Sequence, residues 1–307
     1  MNNDMTLIQI VDQFPTDDKA REHLESIRWH DGVVCPHCKC SDQAMFSRIK
    51  ANKEKKVRAG LRWCASCEKQ FTVTIGTIFE DSHIPLRKWV IAWYLLCSSK
   101  KGISSLQLQR MLELGSYRTA LFMTHRIRYA LQDPAFNPTK LNGIVEVDET
   151  YVGGKQQGIG RGRKDNKTPV VSLVERDGNV RSQVMPRVTA GNLRFAVYDN
   201  VKAGSRVMTD DHKGYKGLRY EYKHQTVKHS VGEYARGDVH TNTVEGFFSL
   251  LKRGVMGTFH SVSKQHLPLY LAEFDHRWNH RKSTDGERTL AGLRKVEGKR
   301  LTYKPVK

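Results

Sequence analysis

Hydrophobic and polar positions recur on two different periods along this chain, and the changes of period divide it. Residues 7–29, LIQIVDQFPTDDKAREHLESIRW, carry apolar positions at helical spacing in two short runs. Pro15 separates the runs, and Thr16 or Asp17 can cap the second. Residues 62–80, RWCASCEKQFTVTIGTIFE, read instead as a strand-like stretch. After Pro85 the helical period returns. It predicts one helix in LRKWVIAWYLLCSSK, a second in GISSLQLQRMLEL capped by Ser104 or Ser105, and a third in SYRTALFMTHRIRYAL after a turn at Gly115-Ser116. Residues 133–142, DPAFNPTKLN, hold two prolines and read as a linker at a domain boundary.

From Gly143 the pattern changes again. GIVEVDETYV is a strand with apolar Ile144, Val145 and Val147, and it delivers Asp148 near its end. KTPVVSLVER and NVRSQVMPRV follow as strands joined in a hairpin at Asp177-Gly178. NLRFAVYDNV is a helix, SRVMTDD a short strand ending in Asp210, and HTNTVEGFFSLLKRGVMG and HLPLYLAEFDHRWNHR are helices. A first-strand acid, a hairpin, a helix, a later-strand acid and a helical Glu245 follow the order of a ribonuclease-H-like fold. The chain thus reads as an α+β multidomain protein. Residues 1–84 hold N-terminal helices and a zinc ribbon, 85–132 a helix-turn-helix-like region, and 143–307 a ribonuclease-H-like α/β catalytic domain.

Charge narrows the partners. Lys and Arg number 51 against 32 Asp and Glu, a formal net charge of +19. Such an excess favours a polyanion through counterion release. The longest apolar run, Trp89–Cys97, is too short to span a bilayer. The N-terminal residues show no apolar signal core, so the expected compartment is the cytoplasm, with no membrane partner.

Four of the six cysteines form two knuckles, CPHC at 35–38 and CASC at 64–67. Two chelating pairs complete a closed tetrahedron, the structural arrangement for Zn²⁺, with Cys35, Cys38, Cys64 and Cys67 as ligands. His37 and Cys40 lie near enough to substitute. Disulfides are disfavoured without an export signal. Cys97 sits in an apolar helix and reads as core. The basic run RIKANKEKKVRAG between the knuckles is either a solvated loop or a DNA-phosphate contact.

The two short helices joined at Gly115 suit a helix-turn-helix, with the last helix turning Tyr117, Arg118, Thr119, His125, Arg126 and Arg128 toward DNA. The rival reading is a helical spacer whose apolar stripe is core. The loop GGKQQGIGRGRKDNK after the first acid lacks Walker-A spacing. With Arg161, Arg163 and Lys164 it reads as a DNA-contacting loop.

Asp148, Asp210 and Glu245 are the candidate catalytic acids. Carboxylates converging at one sheet edge suit hard cations, Mg²⁺ or Mn²⁺, that clamp the attacking and leaving oxygens of a phosphodiester. Glu146 and Glu149 flank Asp148 and are assigned to the other face of the strand. Asp211 rivals Asp210 as a turn starter. Glu245 has a second reading: with Asn242 as N-cap it would be the third helical position, where a capping-box carboxylate belongs. Capping, metal binding or both remain open. Lys252, seven residues on, returns to nearly the same helical face and suits a DNA phosphate; the alternative is a solvated lysine at a helix end. Trp278, Asn279, His280 and Arg281 either pack or line a DNA path.

VDETYVGGK, MTDDHKGY and HTNTVEGFFSLLKRGVMGTFHSVSKQHLPLYLAEFDHRWNHR together resemble the bacterial insertion-sequence DDE transposases with an N-terminal zinc ribbon, the ISXO2-like class related to Merlin elements. The resemblance covers nearly the whole chain. It implies a ribonuclease-H-like catalytic domain, two divalent metals, and cut-and-join chemistry at transposon ends. The matching positions are Asp148, Asp210 and Glu245, with Lys252 as the basic residue after the third acid. Double-stranded DNA, both transposon ends and target, is the implied partner. Acting on two ends implies a homodimer or higher assembly. A related nuclease or resolvase of the same fold, and a zinc-ribbon regulator with an inactive core, are the rival classes.

Overall fold

The computed structural model describes residues 5–133, 139–153, 167–228 and 231–302. The chain divides into two units, Met1–Leu131 with Ser283–Lys307, and Gln132–Lys282.

The first unit opens with α1 (Leu7–Gln13) and α2 (Asp17–Arg28), capped by the hydroxyls of Thr6 and Thr16. Both caps accept from the third helical amide, which satisfies a donor that has no partner within the helix. Strands β1 (Phe46–Arg48), β2 (Arg62–Cys64) and β3 (Lys69–Phe71) form an antiparallel ribbon. Helices α3 (Leu86–Ser98), α4 (Ser105–Met111) and α5 (Tyr117–Leu131) follow, with Ser104 as the cap of α4. Residues Trp89–Cys97 of α3 are all buried. A helix apolar on every side must be covered on every side. Here α1, α2, α5 and the C-terminal helix α9 (Asp285–Leu293) cover it.

That C-terminal return departs from the sequence reading, which ends the catalytic domain at residue 307. Arg288 Nη1 donates to the Cys97 carbonyl at 3.2 Å, Lys299 Nζ to the Ala130 carbonyl at 2.5 Å, and the Gly298 amide to the Gly76 carbonyl at 2.9 Å. Gly292 lies so close to α3 that a Cβ there would sit 2.6 Å from Trp93 Nε1. The zinc-ribbon and helix-turn-helix regions, read as separate domains, also share this unit.

The second unit is built on a five-stranded sheet of order β6-β5-β4-β7-β8. Its strands are β4 (Ile144–Val152), β5 (Thr168–Glu175), β6 (Val180–Val184), β7 (Arg206–Thr209) and β8 (Lys223–Thr226). β4, β5 and β6 pair antiparallel, whereas β7 and β8 run parallel to β4. This is the ribonuclease-H-like sheet anticipated from the order of elements. One face carries Val145, Val147, Val171 and Leu173 against α6 (Ala190–Asn200) and the turn of 3-10 helix Lys213–Tyr220. The other carries Val152, Val170 and Val174 against α7 (Asn242–Gly254) and α8 (Leu267–Asn279). Period-two alternation thus feeds two cores from each central strand. A small ribbon, β9 (Ala235–Arg236) with β10 (Val239–His240), precedes α7. Asn279 and Asp275 of α8 bind the backbone of Val180 and Ser182 at 2.7 and 2.8 Å, and Arg281 donates to the Gly178 carbonyl at 2.8 Å. Of the two readings of 278–281, these contacts and the half-buried Trp278 packed against the core favour packing.

Candidate catalytic site and zinc ribbon

Asp148 and Asp210 are neighbours because of strand register. β4 and β7 run parallel with Val145 opposite Val207 and Glu146 opposite Met208. Two residues further along both chains come Asp148, still in β4, and Asp210, one residue past β7. Glu245 comes to the same region from the first turns of α7. All three are half-buried. Burial, and then the charges of Glu149, Asp210 and Glu245, push the Asp148 carboxyl up to about 7, against a lowering by the Glu149 amide that donates to it at 2.8 Å. Like charges held together in partial burial are a standing electrostatic cost that a bound cation relieves. An all-oxygen donor set of this kind fits Mg²⁺ or Mn²⁺.

The α7 terminus differs from the sequence reading. Thr241, not Asn242, is the N-cap, so Glu245 is the fourth helical residue and no capping box forms. Thr241 Oγ1 donates to Glu245 Oε1 at 3.0 Å, while Asn242 is exposed. Lys252 is exposed on the solvent side of α7, away from buried Val244, Phe247, Phe248 and Leu251.

Glu146 also departs from its assignment. Strand period two puts residue 146 on the same face as Asp148, and only Glu149 on the other. Glu146 is fully buried and accepts from the Thr243 and Val244 amides of α7 at 2.7 and 3.1 Å. Glu149 accepts from the phenol of buried Tyr215 at 2.6 Å. Burial and this carboxylate raise the Tyr215 hydroxyl well above its usual range, so it remains a donor. Asp211, the rival of Asp210, is exposed, whereas Asp210 Oδ1 accepts from the His212 amide at 3.1 Å. Spacing alone would have exposed the role of Glu146: a carboxylate at i−2 on a covered strand face must find donors.

The four knuckle cysteines converge. One ligand atom from each of Cys35, Cys38, Cys64 and Cys67 lies within 4.8 Å of the others. The Cys35–Cys67 and Cys38–Cys64 sulfurs are 3.7 Å apart. A tetrahedron with Zn–S of about 2.3 Å has edges of about 3.8 Å, so the spacing fits Zn²⁺. His37 faces the Gln70 carbonyl instead, at 3.3 Å, and the Cys40 carbonyl accepts from the Cys35 amide. Among the described residues this is the one group of possible metal ligands gathered so tightly, and the three acids are not so gathered.

The profile of the ISXO2-like transposase domain matches residues 140–279, and that of the transposase zinc-ribbon domain matches residues 15–70. An uncharacterized protein in transposable element ISH50 of Halobacterium salinarum is 30% identical over 286 residues, covering 87% of this chain and 92% of the relative. The chain belongs to the ISXO2-like transposase family. It is a DNA transposase with a zinc-ribbon N-terminus. An uncharacterized transposase-like protein of Haemophilus influenzae is 31% identical over 101 residues, 33% of this transposase and 80% of that protein. Two solved assemblies also align, each with a TM-score of 0.28. A simian T-cell lymphotropic virus intasome in complex with PP2A regulatory subunit B56 gamma is 16% identical over 53% of this chain and 63% of that one. A pre-cleavage Mos1 transpososome is 14% identical over 62% and 70%.

The transposase's predicted DNA contacts divide. Arg118 is exposed on α5. Arg126 and Arg128 are buried, which corrects their assignment to DNA. Arg126 Nη1 donates to the carbonyls of Ile78 and Glu80 at 2.8 and 3.0 Å, and Arg128 Nη1 to Thr124 Oγ1 at 3.1 Å. His125 is buried too. The second half of α5 is covered on every side, and its buried cations serve interior acceptors, two carbonyls for Arg126 and a hydroxyl for Arg128. Arg161, Arg163 and Lys164 lie outside the described residues. Among the described residues, no helix is long and apolar enough to cross a membrane.

Proposed function

We propose that Asp148, Asp210 and Glu245 are the catalytic acids of this transposase, holding two Mg²⁺ or Mn²⁺ ions at the end of an insertion sequence. The observation that carries the reading is the β4–β7 register, which brings Asp148 and Asp210 side by side at the end of the sheet facing Glu245. Two cations held there by these carboxylates would supply Lewis-acid charge to an in-line displacement at phosphorus. Asp148 is fixed by strand backbone, Asp210 by its place just past β7 and the His212 amide that donates to it, and Glu245 by its helix and by Thr241. Lys252, solvent-facing on α7, binds a phosphate beside the reacting bond. Water first attacks the phosphodiester at the terminal inverted repeat and frees a 3′-OH. That 3′-OH then attacks target DNA and expels the 3′-oxygen of the target strand. Each step is one substitution at phosphorus, and no enzyme nucleophile is required.

The ribbon holds Zn²⁺ through its four cysteines and stabilises the first unit, whose exposed cations, Arg118 among them, engage the terminal repeats. The basic segment with Arg161, Arg163 and Lys164 adds phosphate contacts. Two ends must be joined in concert, so the working species is a dimer or larger assembly on nucleoid DNA. The test is cleavage and joining of end-labelled DNA carrying the flanking terminal repeats, with Mg²⁺ or Mn²⁺. Asp148→Asn, Asp210→Asn and Glu245→Gln are each expected to lose both steps and keep the gel shift. Full activity in Glu245→Gln, with a folded but inactive Asn242→Ala, moves the third role to Asn242.

A further inference from the structure

Among the described residues, six α-helices carry their own N-terminal cap. Thr6, Thr16, Ser104, Ser116, Thr189 and Thr284 each accept from a first-turn amide of the helix they precede. The helix bearing Glu245 does not: the N-cap Thr241 makes no side-chain cap bond, and its hydroxyl goes to Glu245 instead. The cap comes from a residue 97 positions away. Glu146 Oε2 accepts from the Thr243 and Val244 amides at 2.7 and 3.1 Å, and Oε1 from the Thr243 hydroxyl at 2.9 Å. A carboxylate at a helix N-terminus is favoured by the peptide dipoles and makes charge-assisted bonds.

A carboxylate with no exposed surface also needs a counter-charge. Arg176, just beyond β5, donates from Nε to Glu146 Oε1 at 2.6 Å. Its remaining nitrogens are committed. Nη1 donates to the Asp238 carbonyl at 2.8 Å, and Nη2 to His240 Nδ1 and the His240 carbonyl at 3.0 and 3.1 Å. Because a guanidinium only donates, His240 Nδ1 carries a lone pair, and its 3.2 Å approach to Glu146 is not an ion pair. Arg176 therefore ties Glu146 to the β9–β10 ribbon that leads into α7.

The geometry joins the three acids. Glu146 is two residues from Asp148 on the same strand face, and its register partner Met208 is two residues from Asp210. The amides it holds are those of the two residues before Glu245. We propose that Glu146 is a positioning residue. By capping α7 from the strand that carries Asp148, with Arg176 securing its charge, it fixes the reach and rotation of Glu245 toward the other two acids. The inference rests on Glu245 being the third catalytic acid.

The full-length, zinc-loaded protein tests it. Mn²⁺ binding is measured by titration without DNA, and amide exchange is followed through residues 242–250. Glu146→Gln keeps the side-chain shape but turns an NH₂ group toward donors. It is expected to speed exchange at Thr243 and Val244, to weaken Mn²⁺ by about 10–100-fold, as loss of a ligand's support does, and to keep the DNA gel shift. If Glu146 acts only through Glu245, the double variant with Glu245→Gln binds Mn²⁺ no more weakly than Glu245→Gln alone. Two losses that multiply, or Mn²⁺ affinity within about twofold of wild type in Glu146→Gln while Glu245→Gln loses it, overturn the proposal. Wild-type Mn²⁺ binding and cleavage in Glu245→Gln is a different result and overturns the catalytic assignment instead. Should Glu146→Gln fail to fold, the same cycle run on Arg176→Lys decides. Lys keeps the charge but not the planar fork, and an effect independent of Glu245 overturns the proposal.

Discussion

Ending the chain at Lys282 is expected to destabilise the first unit, although every residue removed lies beyond the catalytic elements. Leu293 and Val296 are nearly fully buried, 2% and 6% exposed. At about 1.5–3 kcal/mol for each buried aliphatic side chain, their loss removes about 3–6 kcal/mol of burial. The bonds to the Cys97, Ala130 and Gly76 backbones go with them. Against a usual domain stability of about 5–15 kcal/mol, that loss leaves the unit marginal. A gentler probe is Gly292→Ala, whose Cβ would meet Trp93 Nε1 at 2.6 Å and Leu131 Cδ2 at 3.1 Å. Overpacking costs about 1–3 kcal/mol, offset by at most about 1 kcal/mol of helix propensity, so the net effect is destabilising. Urea unfolding followed by tryptophan fluorescence reads this unit, because Trp29, Trp63, Trp89 and Trp93 belong to it and Trp278 to the other. An unchanged midpoint in the shortened chain, or a raised one in Gly292→Ala, refutes the placement of α9. The same reasoning makes residues 1–131 alone an incomplete fragment for DNA-binding assays.

Cys64→Ser is expected to lose bound zinc and unfold the ribbon, since metal binding contributes folding energy there; equal zinc in both proteins refutes the ligand set. Arg126→Ala leaves the Ile78 and Glu80 carbonyls without their donor and should cost about 1–3 kcal/mol in denaturation while the salt dependence of DNA binding stays put. Arg118→Ala should do the reverse, keeping stability and lowering the salt slope of DNA binding by about 1; equal effects of both variants on that slope refute the division. Tyr215→Phe strips Glu149 of a buried donor and should destabilise the second unit by about 1–3 kcal/mol in thermal melts; an unchanged Tm counts against that bond.

What the sequence determined by itself was whatever depends on short-range pattern. Paired cysteines with two residues between them declare a chelate because the turn is local, and the strands β4 to β7 and the helices α6 to α8 follow from periods that each element imposes on its own residues, whereas the polar edge strand β8 and the β9–β10 ribbon carry no such period and were not legible. Two helix caps were legible to within one residue for the same reason, Thr16 or Asp17 and Ser104 or Ser105, of which the structure uses the first of each pair. Only the tertiary structure decided where long-range partners meet. The β4–β7 register sets Asp148 beside Asp210 although sixty-odd residues lie between them. The cap of α7 is Glu146, a strand residue, because a buried carboxylate and a helix end with orphan amides satisfy each other, so Asn242 is left facing solvent. Arg126 and Arg128 look like DNA ligands by composition, yet they turn inward, where Arg126 serves backbone carbonyls and Arg128 the Thr124 hydroxyl, because oxygens in a dry interior need donors as much as phosphates need cations. The C-terminal helix joins the N-terminal unit because α3 is apolar on every side from Trp89 to Cys97 and needs cover all round, to which α9 contributes beside α1, α2 and α5.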